Sequence, residues 1–331
     1  MATVSDKGNT GDDILLVKNL KKYYPISKFS LKKNRIYVKA VDDVSFSIKR
    51  GTTMGLVGES GCGKTTVGRT ILRLHEVTSG QVLFDNKDLA KVPARELRKM
   101  RPEMQMIFQD PYSSLSPRLP VGEIIGEAVK QHHIVPKSQY RSYILKIMRD
   151  CGLQSHYYYR YPHEFSGGQR QRISIARAVA LNPKFIICDE PLSALDVSIQ
   201  AQIINLMKDL QEKYGYTYLF ISHDLSVVKY LSETIGVMYL GSLVETGDKN
   251  EIFANPMHPY SKALLSAVPV SNPDIKMNRI ILKGDIPSPV NPPSGCKFRT
   301  RCPNVMPICS EQVPVLKEYG NNHQVACHLY N

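Results

Sequence analysis

Residues 58–65 read GESGCGKT and fit the pattern G-x-x-x-x-G-K-[ST] of a phosphate-binding loop. The apolar run TTMGLV (52–57) before the loop predicts a strand, and VGRTILRLH (67–75) after it predicts a helix. Glycines let backbone N–H groups turn inward around phosphate oxygens, and a helix N-terminus favours anions. The alternative, a glycine-rich turn that binds nothing, fits this strand–loop–helix context poorly.

The loop motif assigns roles to its polar side chains. Lys64 is expected to reach the β- and γ-phosphates of a nucleotide, and the Thr65 hydroxyl to bind Mg²⁺. We interpret Cys62 as a small filler residue rather than a redox centre. The predicted nucleotide-binding positions of the loop are Gly58, Glu59, Ser60, Gly61, Cys62, Gly63, Lys64, Thr65 and Thr66.

A second apolar run, KFIICDE (184–190), ends in two acids and predicts a buried parallel strand. In an open α/β sheet, ligands bind beyond the carboxyl ends of the strands. Asp189 is therefore placed to hold Mg²⁺ through water, and Glu190 to orient the attacking water in phosphoryl transfer. Alone, the pair is equally compatible with two acids that cap a strand. Together with the phosphate-binding loop, it predicts a nucleotide hydrolase.

Composition restricts the class of protein without choosing one. The chain has 331 residues, 42% of them hydrophobic, and a formal net charge of +13. A buried core is expected, and no apolar run reaches the ~18 residues of a membrane-spanning helix. The N-terminal residues MATVSDKGNTGDD lack the apolar stretch of a secretory signal, so we expect a cytosolic location. Strands that alternate with helices along the chain indicate a mainly parallel α/β sheet.

The stretch YPHEFSGGQRQRISIARA (161–178) decides the class. Ser166 is suited to cap a helix, and Gly167 and Gly168 allow a close backbone approach, so this helix start is a second anion site. One nucleotide does not need two such sites in one chain. A dimer explains them if the second site of each chain closes on the nucleotide of its partner.

With these motifs the sequence resembles an ATP-binding cassette (ABC) ATPase. SGGQ (166–169) matches the signature of that family, with Phe165 where leucine is usual. The resemblance implies a mainly parallel P-loop sheet with an antiparallel subdomain and a helical subdomain. It also implies that Ser166, Gly167, Gly168 and Gln169 contact the ATP of a partner subunit.

Other elements of the family follow in order along the chain. Gln109, in FQD, matches the glutamine that senses Mg²⁺ and the transport partner, and Asp196, in SALD, lies in the D-loop. His223, in ISHD, matches the histidine that contacts the γ-phosphate. Tyr24 is the best match for the aromatic residue that stacks on adenine, and Tyr23 is the alternative. The implied catalytic residues are Glu190, His223 and Lys64, and the implied Mg²⁺ ligands are Thr65, Gln109 and Asp189.

Four longer stretches resemble the ATPase subunits of oligopeptide and dipeptide permeases. They are FQDPYSSLSPRLPVGEII (108–125), SALDVSIQAQIINLM (193–207), HPYSKALLSAVP (258–269) and GDIPSPVNPPSGCKFRTRCP (284–303). Ser116 departs from the usual asparagine. The resemblance implies a prokaryotic peptide importer and favours the second, "F"-type ATPase subunit. Its expected partners are a related ATPase subunit in a heterodimer, two transmembrane permease subunits and, indirectly, an extracytoplasmic peptide-binding protein, at the cytoplasmic face of the membrane.

We predict three segments on this basis. Residues 1–13 are expected to form a flexible N-terminus, and residues 14–255 the cassette, with its helical subdomain at about 110–165. Residues 256–331 are expected to form a permease-type C-terminal extension, where the composition becomes rich in proline and cysteine.

Four cysteines of the extension, Cys296, Cys302, Cys309 and Cys327, have the spacing C-x5-C-x6-C-x17-C. Four thiolates suit a [4Fe–4S] cluster or Zn²⁺. Some members of the permease family bind a [4Fe–4S] cluster, and four reduced thiols without a metal are the alternative. The neighbouring His323 and His328 are alternative ligands, but we expect both to lie on the surface.

Two other functions remain open at this point. The same transport machine is compatible with other cargo, such as nickel, opines, cell-wall peptides or signalling peptides, because the ATPase does not touch cargo. A non-transport cassette protein acting on nucleic acid is disfavoured, since only 102 residues separate Lys64 from Ser166 and leave no room for a coiled-coil insertion. No nucleic-acid partner is therefore expected. The positive charge, concentrated between Lys28 and Lys39, is interpreted as a surface for the anionic inner leaflet.

Overall fold

The structure is a computed structural model that describes residues 12–26, 36–268, 279–320 and 322–330. Most of the segment 1–13 and most of the basic stretch from Lys28 to Lys39 lie outside the described residues. The expectations of a flexible N-terminus and of a membrane-facing basic loop therefore stay predictions.

The strands of the described residues are, in chain order, β1 (Asp13–Pro25), β2 (Tyr37–Lys49), β3 (Thr53–Val57), β4 (Ser79–Phe84), β5 (Lys87–Asp88), β6 (Met104–Ile107), β7 (Phe185–Asp189), β8 (Thr217–Ile221), β9 (Thr234–Tyr239), β10 (Ser242–Asp248), β11 (Lys317–Glu318) and β12 (Gln324–Val325). The α-helices are α1 (Lys64–Ile71), α2 (Ala94–Met100), α3 (Pro111–Ser114), α4 (Val121–Gln131), α5 (Tyr140–Asp150), α6 (Gly167–Val179), α7 (Val197–Tyr214), α8 (Leu225–Leu231), α9 (Lys249–Ala254), α10 (Pro259–Ser266) and α11 (Ile308–Glu311). Short 3-10 turns cover Arg101–Glu103, Lys137–Gln139, Ser155–Tyr159, Pro162–Glu164 and His328–Tyr330.

The chain forms two compact units. The first comprises residues 1–48, 53–91 and 221–331, and the second comprises residues 49–52 and 92–220. The first unit therefore contains the phosphate-binding loop together with the C-terminal residues. The second contains the acidic strand end and the SGGQ helix.

The first unit contains an antiparallel sheet with the strand order β2-β1-β4-β5. In β1 and β4, Leu15 pairs with Phe84 and Val17 pairs with Val82, and all four side chains are buried. Alternate residues along a strand point to the same face, which is why one face of this sheet is apolar.

The first unit also contains five strands in the order β11-β12-β10-β9-β3. Strand β3 is buried along its whole length and pairs in parallel with β9, and β9 and β10 form an antiparallel hairpin. Burial of β3 fixes the point from which the phosphate-binding loop leaves the sheet.

The second unit contains strands in the order β8-β7-β6 and most of the longer helices. Strand β7 is buried along its whole length and pairs in parallel with β6, with Ile107 opposite Cys188. Helices α4 and α5 and the turn Ser155–Tyr159 all lie in this second unit.

Within the first unit, a buried carboxylate of β10 binds the C-terminal residues through hydrogen bonds. Glu245 of β10 is fully buried and accepts hydrogen bonds from the backbone N–H of Met257 (2.7 Å) and of His258 (2.9 Å). His323 Nε2 lies 2.7 Å from the same carboxylate. His323 and His328 are only 5% and 8% exposed, so the expected surface position of both histidines is wrong. Sequence does not reveal the buried acceptors, Glu245 and the Gln312 carbonyl, that satisfy them.

His258 makes the first unit sensitive to acid. Its buried ring caps α10, with Nδ1 accepting from the N–H of Tyr260 at 3.1 Å, and burial lowers its pKa from 6.5 to about 4. The unfolded chain therefore binds a proton that the folded chain excludes, so stability falls as the pH decreases from about 6.5 to 4. One group with this shift accounts for about 3 kcal/mol of the loss.

The variant His258→Asn keeps a capping acceptor but lacks the titrating ring. Its free energy of unfolding, measured in urea from pH 7 to 4, should therefore not show this decrease. Equal pH slopes in both proteins would contradict the assignment.

Candidate functional site

The phosphate-binding loop requires glycine for steric reasons. It connects β3 to α1, and Gly63 adopts a positive φ of 106° directly before the helix. A Cβ at Gly63 would lie 2.2 Å from the carbonyl oxygen of Ala40, and one at Gly58 would lie 2.3 Å from that of Met238. Such distances are far inside van der Waals contact, so the loop can pack against these neighbours only without side chains at the two positions.

Lys64 lies inside the loop. Its side chain is 4% exposed, and Nζ donates to the carbonyl oxygens of Gly58 (2.8 Å) and Glu59 (3.1 Å). The positive charge is thus held at the N-terminal end of α1, where backbone N–H groups are also directed. Cys62 is buried, and burial raises the pKa of its thiol, which is consistent with a filler role.

The two candidate tyrosines of β1 have different surroundings. The hydroxyl of Tyr23 donates to Asp42. Burial raises the pKa of Tyr24 and an interaction with Thr66 of α1 opposes this shift, and the Tyr24 ring packs edge-on against His75 with the centroids 5.6 Å apart. Tyr24 is therefore the tyrosine that contacts the helix following the phosphate-binding loop.

The acidic strand end lies in the second unit. Asp189 is fully buried at the end of β7, and Glu190 follows with a positive φ of 45°. Gln109 Nε2 donates to Glu190 Oε2 at 3.0 Å. The parallel register explains this contact, because Gln109 and Glu190 each follow the paired residues Ile107 and Cys188 by two positions. Two predicted site residues that are far apart in sequence are thus in direct contact.

The SGGQ motif starts α6 as the sequence predicted. The Ser166 hydroxyl accepts from the N–H of Gln169 at 3.4 Å, and the Gln169 side chain accepts from the N–H of Ser166 at 3.1 Å. Ser166 itself remains exposed. Phe165, which departs from the family pattern, is 4% exposed and packs against Tyr157 with the ring centroids 5.0 Å apart. The larger side chain therefore has a buried site of its own.

The remaining predicted residues lie at exposed chain turns. Asp196 stands directly before α7 and is exposed, and the neighbouring Val197 is 81% exposed. His223 is exposed in the turn between β8 and α8, next to Asp224, which caps α8. The structure places Lys64, Tyr24 and His223 in the first unit, and it places Gln109, Glu190 and Asp189 in the second.

Two contacts of the loop were not predicted. The Tyr260 hydroxyl accepts from the N–H of Glu59 at 2.8 Å, and Arg301 pairs with the Glu59 carboxylate at 2.7 Å and 3.0 Å. Both residues lie in stretches that the sequence marked only by resemblance, HPYSKALLSAVP and FRTRCP. Their contact with the loop depends on tertiary structure, for which one sequence carries no signal.

The cysteines of the C-terminal extension are free thiols that influence one another. Burial raises the pKa of Cys296 to about 11, with smaller contributions from Cys309, Cys327 and Cys302. Among the described residues, no group of three or more His, Cys, Asp or Glu side chains is arranged to hold a metal ion. The four thiols are thus neighbours without forming a ready-made metal site.

Comparison with known proteins places these features in a family. The model of the ABC transporter family matches residues 41–193, and that of the oligopeptide/dipeptide transporter C-terminal region matches residues 244–309. The oligopeptide transport ATP-binding protein AppF of Bacillus subtilis (strain 168) is 53% identical over 97% of this chain and 98% of its own length. The chain belongs to the ABC transporter family. A putative peptide import ATP-binding protein of Brucella ovis is 51% identical to this ABC protein over 96% of the chain and 98% of its own length.

Solved structures confirm the predicted ATP-binding cassette fold. The dimeric ATP-binding cassette MJ0796, bound to ADP and Pi, has a TM-score of 0.62 and 29% identity, covering 71% of this ABC protein and 98% of that chain. The cbiO1 protein of Clostridium perfringens, part of an ABC transporter complex, has a TM-score of 0.64 and 27% identity, covering 74% of this ABC protein and 92% of that chain.

The two glycines of the signature are expected to differ in their tolerance of a side chain. A Cβ at Gly168 would lie 2.5 Å from Ile199 Cγ2, whereas one at Gly167 would lie 3.5 Å from Leu195 Cδ2. Gly168→Ala should destabilise the protein by about 1–2 kcal/mol through overpacking against α7. Gly167→Ala is the matched control and should be neutral or slightly stabilising, since alanine is favoured over glycine in helices. Urea unfolding of both variants measures the difference, and equal midpoints would contradict it.

Proposed function

We propose that this protein is the ATP-hydrolysing subunit that energises the import of peptides by a membrane ABC transporter. The contact of Gln109 with Glu190 carries the proposal, because it joins the residue assigned to sensing the transport partner with the residue assigned to hydrolysis. The named relatives, an oligopeptide transport and a peptide import ATP-binding protein, support peptides as the cargo.

Each residue of the nucleotide site has a proposed role. The backbone of the phosphate-binding loop and Lys64 bind the phosphates of ATP, and the Tyr24 ring stacks on adenine. Glu190 orients and polarises the attacking water, and the amide of Gln109 holds that carboxylate in place. His223 contacts the γ-phosphate. Phosphoryl transfer depends mainly on such positioning and electrostatic stabilisation.

The residues proposed for Mg²⁺ have suitable donor atoms. Thr65 offers a hydroxyl, Gln109 an amide oxygen and Asp189 a carboxylate, and Mg²⁺ prefers oxygen ligands. When bound with ATP, the ion neutralises charge on the phosphate oxygens. Asp189 is fully buried, which suits a carboxylate that serves a cation rather than solvent.

We further propose that the ATP-binding site of this chain is completed by a partner ATPase subunit in a heterodimer. The exposed hydroxyl of Ser166 at the start of α6 suits contact with the nucleotide of a partner. The exposure of Asp196 and of the apolar Val197 beside it suits a surface that another chain covers. Binding of two ATP molecules closes the dimer, and hydrolysis reopens it.

The second unit is the proposed contact with the permease subunits. Three tyrosines between residues 110 and 165 are exposed: Tyr112 (67%), Tyr159 (62%) and Tyr161 (41%). Aromatic side chains are enriched at protein interfaces, and Tyr112 lies only three residues after Gln109. Among the described residues, no helix meets the length and apolarity that crossing a membrane requires. The likeness to peptide import ATP-binding proteins supports the proposal that the protein acts at the cytoplasmic face of a prokaryotic cell membrane, attached through permease partners.

The four cysteines of the extension are proposed to hold a structural [4Fe–4S] cluster. Their mutual influence on pKa supports proximity, and thiolates are the ligands of such clusters. The absence of a preformed site among the described residues implies that the thiols must reorganise on binding.

Replacement of Glu190 tests the hydrolytic role. Glu190→Gln removes the carboxylate that orients water, so ATP hydrolysis by the assembled transporter should fall by about 10²-fold or more while ATP binding persists. The control Glu103→Gln removes a carboxylate that pairs only at the surface with Lys184 and should leave turnover unchanged. Steady-state hydrolysis that survives in Glu190→Gln would disprove the assigned role.

Iron and acid-labile sulfide in anaerobically purified protein test the cluster. We expect both in the wild-type protein and loss of both when Cys296 and Cys302 are replaced by serine, since two ligands are then missing. Cys62→Ser, whose thiol lies in the phosphate-binding loop, is the control and should retain iron. A colourless, iron-free wild-type preparation would rule out the cluster.

A further inference from the structure

The C-terminal extension reaches the nucleotide site through one short turn. Phe298 is 1% exposed and packs against two buried tyrosines, with ring centroids 5.2 Å from Tyr239 and 5.5 Å from Tyr260. The N–H of Arg301 donates to the carbonyl of Phe298 at 3.0 Å, which places Arg301 one turn after this anchor. The aromatic contacts thus fix the position from which the Arg301 side chain extends.

Arg301 binds the side chain of Glu59 in the phosphate-binding loop. Arg301 Nη1 lies 2.7 Å from Glu59 Oε2, and Nη2 lies 3.0 Å from Oε1. The Arg301 side chain is 8% exposed and that of Glu59 is 26% exposed. Two parallel bonds from a planar guanidinium are specific to arginine, because lysine offers a single charged nitrogen. This pair is therefore better defined than an ordinary surface ion pair.

Glu59 is also bound through its backbone. Its N–H donates to the Tyr260 hydroxyl at 2.8 Å, and its carbonyl accepts from Lys64 Nζ at 3.1 Å. The conformation of Glu59 therefore affects the position of the lysine that is assigned to the phosphates. The C-terminal region holds this residue from two sides.

The charge of Glu59 is unfavourable for the proposed ligand. A carboxylate one residue into a phosphate-binding loop repels the phosphates of ATP unless a cation compensates it. Arg301 provides that cation at hydrogen-bond distance and, being shielded from water, it is weakly screened. Compensation and positioning follow from the same two hydrogen bonds.

We propose that Arg301 is a positioning residue for ATP binding, which acts through Glu59 to hold the phosphate-binding loop and to cancel a repulsive charge. The inference rests on the proposed binding of ATP to this loop. It assigns the extension a role in the nucleotide site of its own chain.

Calorimetric titration of the full chain with ATP and Mg²⁺ tests the proposal. Arg301→Gln leaves Glu59 uncompensated and should weaken ATP binding about tenfold at low salt, with a smaller loss at 0.5 M salt because the repulsion is screened. The double variant Glu59→Gln/Arg301→Gln removes both charges and should recover binding to within about threefold of the wild type. A purely structural role predicts no such recovery.

Arg299→Gln is the matched control. Arg299 lies two residues away in the same turn, but its side chain bonds Ser294 within the extension, at 2.9 Å and 3.3 Å. This variant loses the same charge and should bind ATP like the wild type.

The outcomes separate the inference from the proposed function. A wild-type chain that does not bind ATP would refute the proposed function. Wild-type binding with unchanged affinity in Arg301→Gln, or a double variant as weak as Arg301→Gln, would overturn the role of Arg301. If thermal unfolding shows that Arg301→Gln does not fold, the ATP affinity of Arg301→Lys tests the proposal instead. The retained charge of this variant still compensates Glu59 while the two parallel hydrogen bonds are lost, so ATP binding should weaken by clearly less than tenfold, and a full tenfold loss would overturn the charge compensation.

Discussion

The hydrogen bonds from the Lys64 ammonium group to the carbonyls of Gly58 and Glu59 are the interactions on which the proposed nucleotide site depends. A buried cation is stable only where oxygen atoms surround it, and here the loop itself provides them. The loop can do so because β3 is buried on both faces and because Gly58 and Gly63 lack side chains where neighbouring carbonyls approach. The local geometry is thus set by backbone contacts more than by side chains.

A second constraint acts on Gln109 and Glu190, the residues proposed to act in hydrolysis. Parallel pairing of β6 with β7 brings Gln109 level with Glu190, and the positive φ of Glu190 redirects the chain after the strand. A non-glycine residue in this conformation costs free energy, which the surrounding structure must offset. Such strain is common where a side chain must point in one direction for function. Movement of the segment around Gln109 would therefore directly displace the Glu190 side chain.

The C-terminal region makes three kinds of contact with the rest of the first unit. Glu245 binds backbone N–H groups and His323, Phe298 packs among aromatic rings, and Arg301 binds Glu59. Cys302 follows Arg301 directly, so the turn that holds the phosphate-binding loop also carries one of the four neighbouring thiols. Any reorganisation of the thiols on metal binding would act on the same turn. The region therefore belongs to the compact unit of the phosphate-binding loop rather than standing apart from it.

The fold class, the strands β3 and β7, the phosphate-binding loop and the capped start of α6 could all be predicted from the amino-acid sequence. These features are encoded in contiguous residues, since a glycine pattern or a helix cap depends on local backbone geometry. The contact of Gln109 with Glu190, the contact of Tyr24 rather than Tyr23 with α1, and the burial of His323 became evident only from the folded protein. The bond between Glu59 and Arg301 joins residues 242 positions apart. Contacts of this kind depend on strand register and on packing between distant segments, and a single sequence contains no local pattern that specifies them.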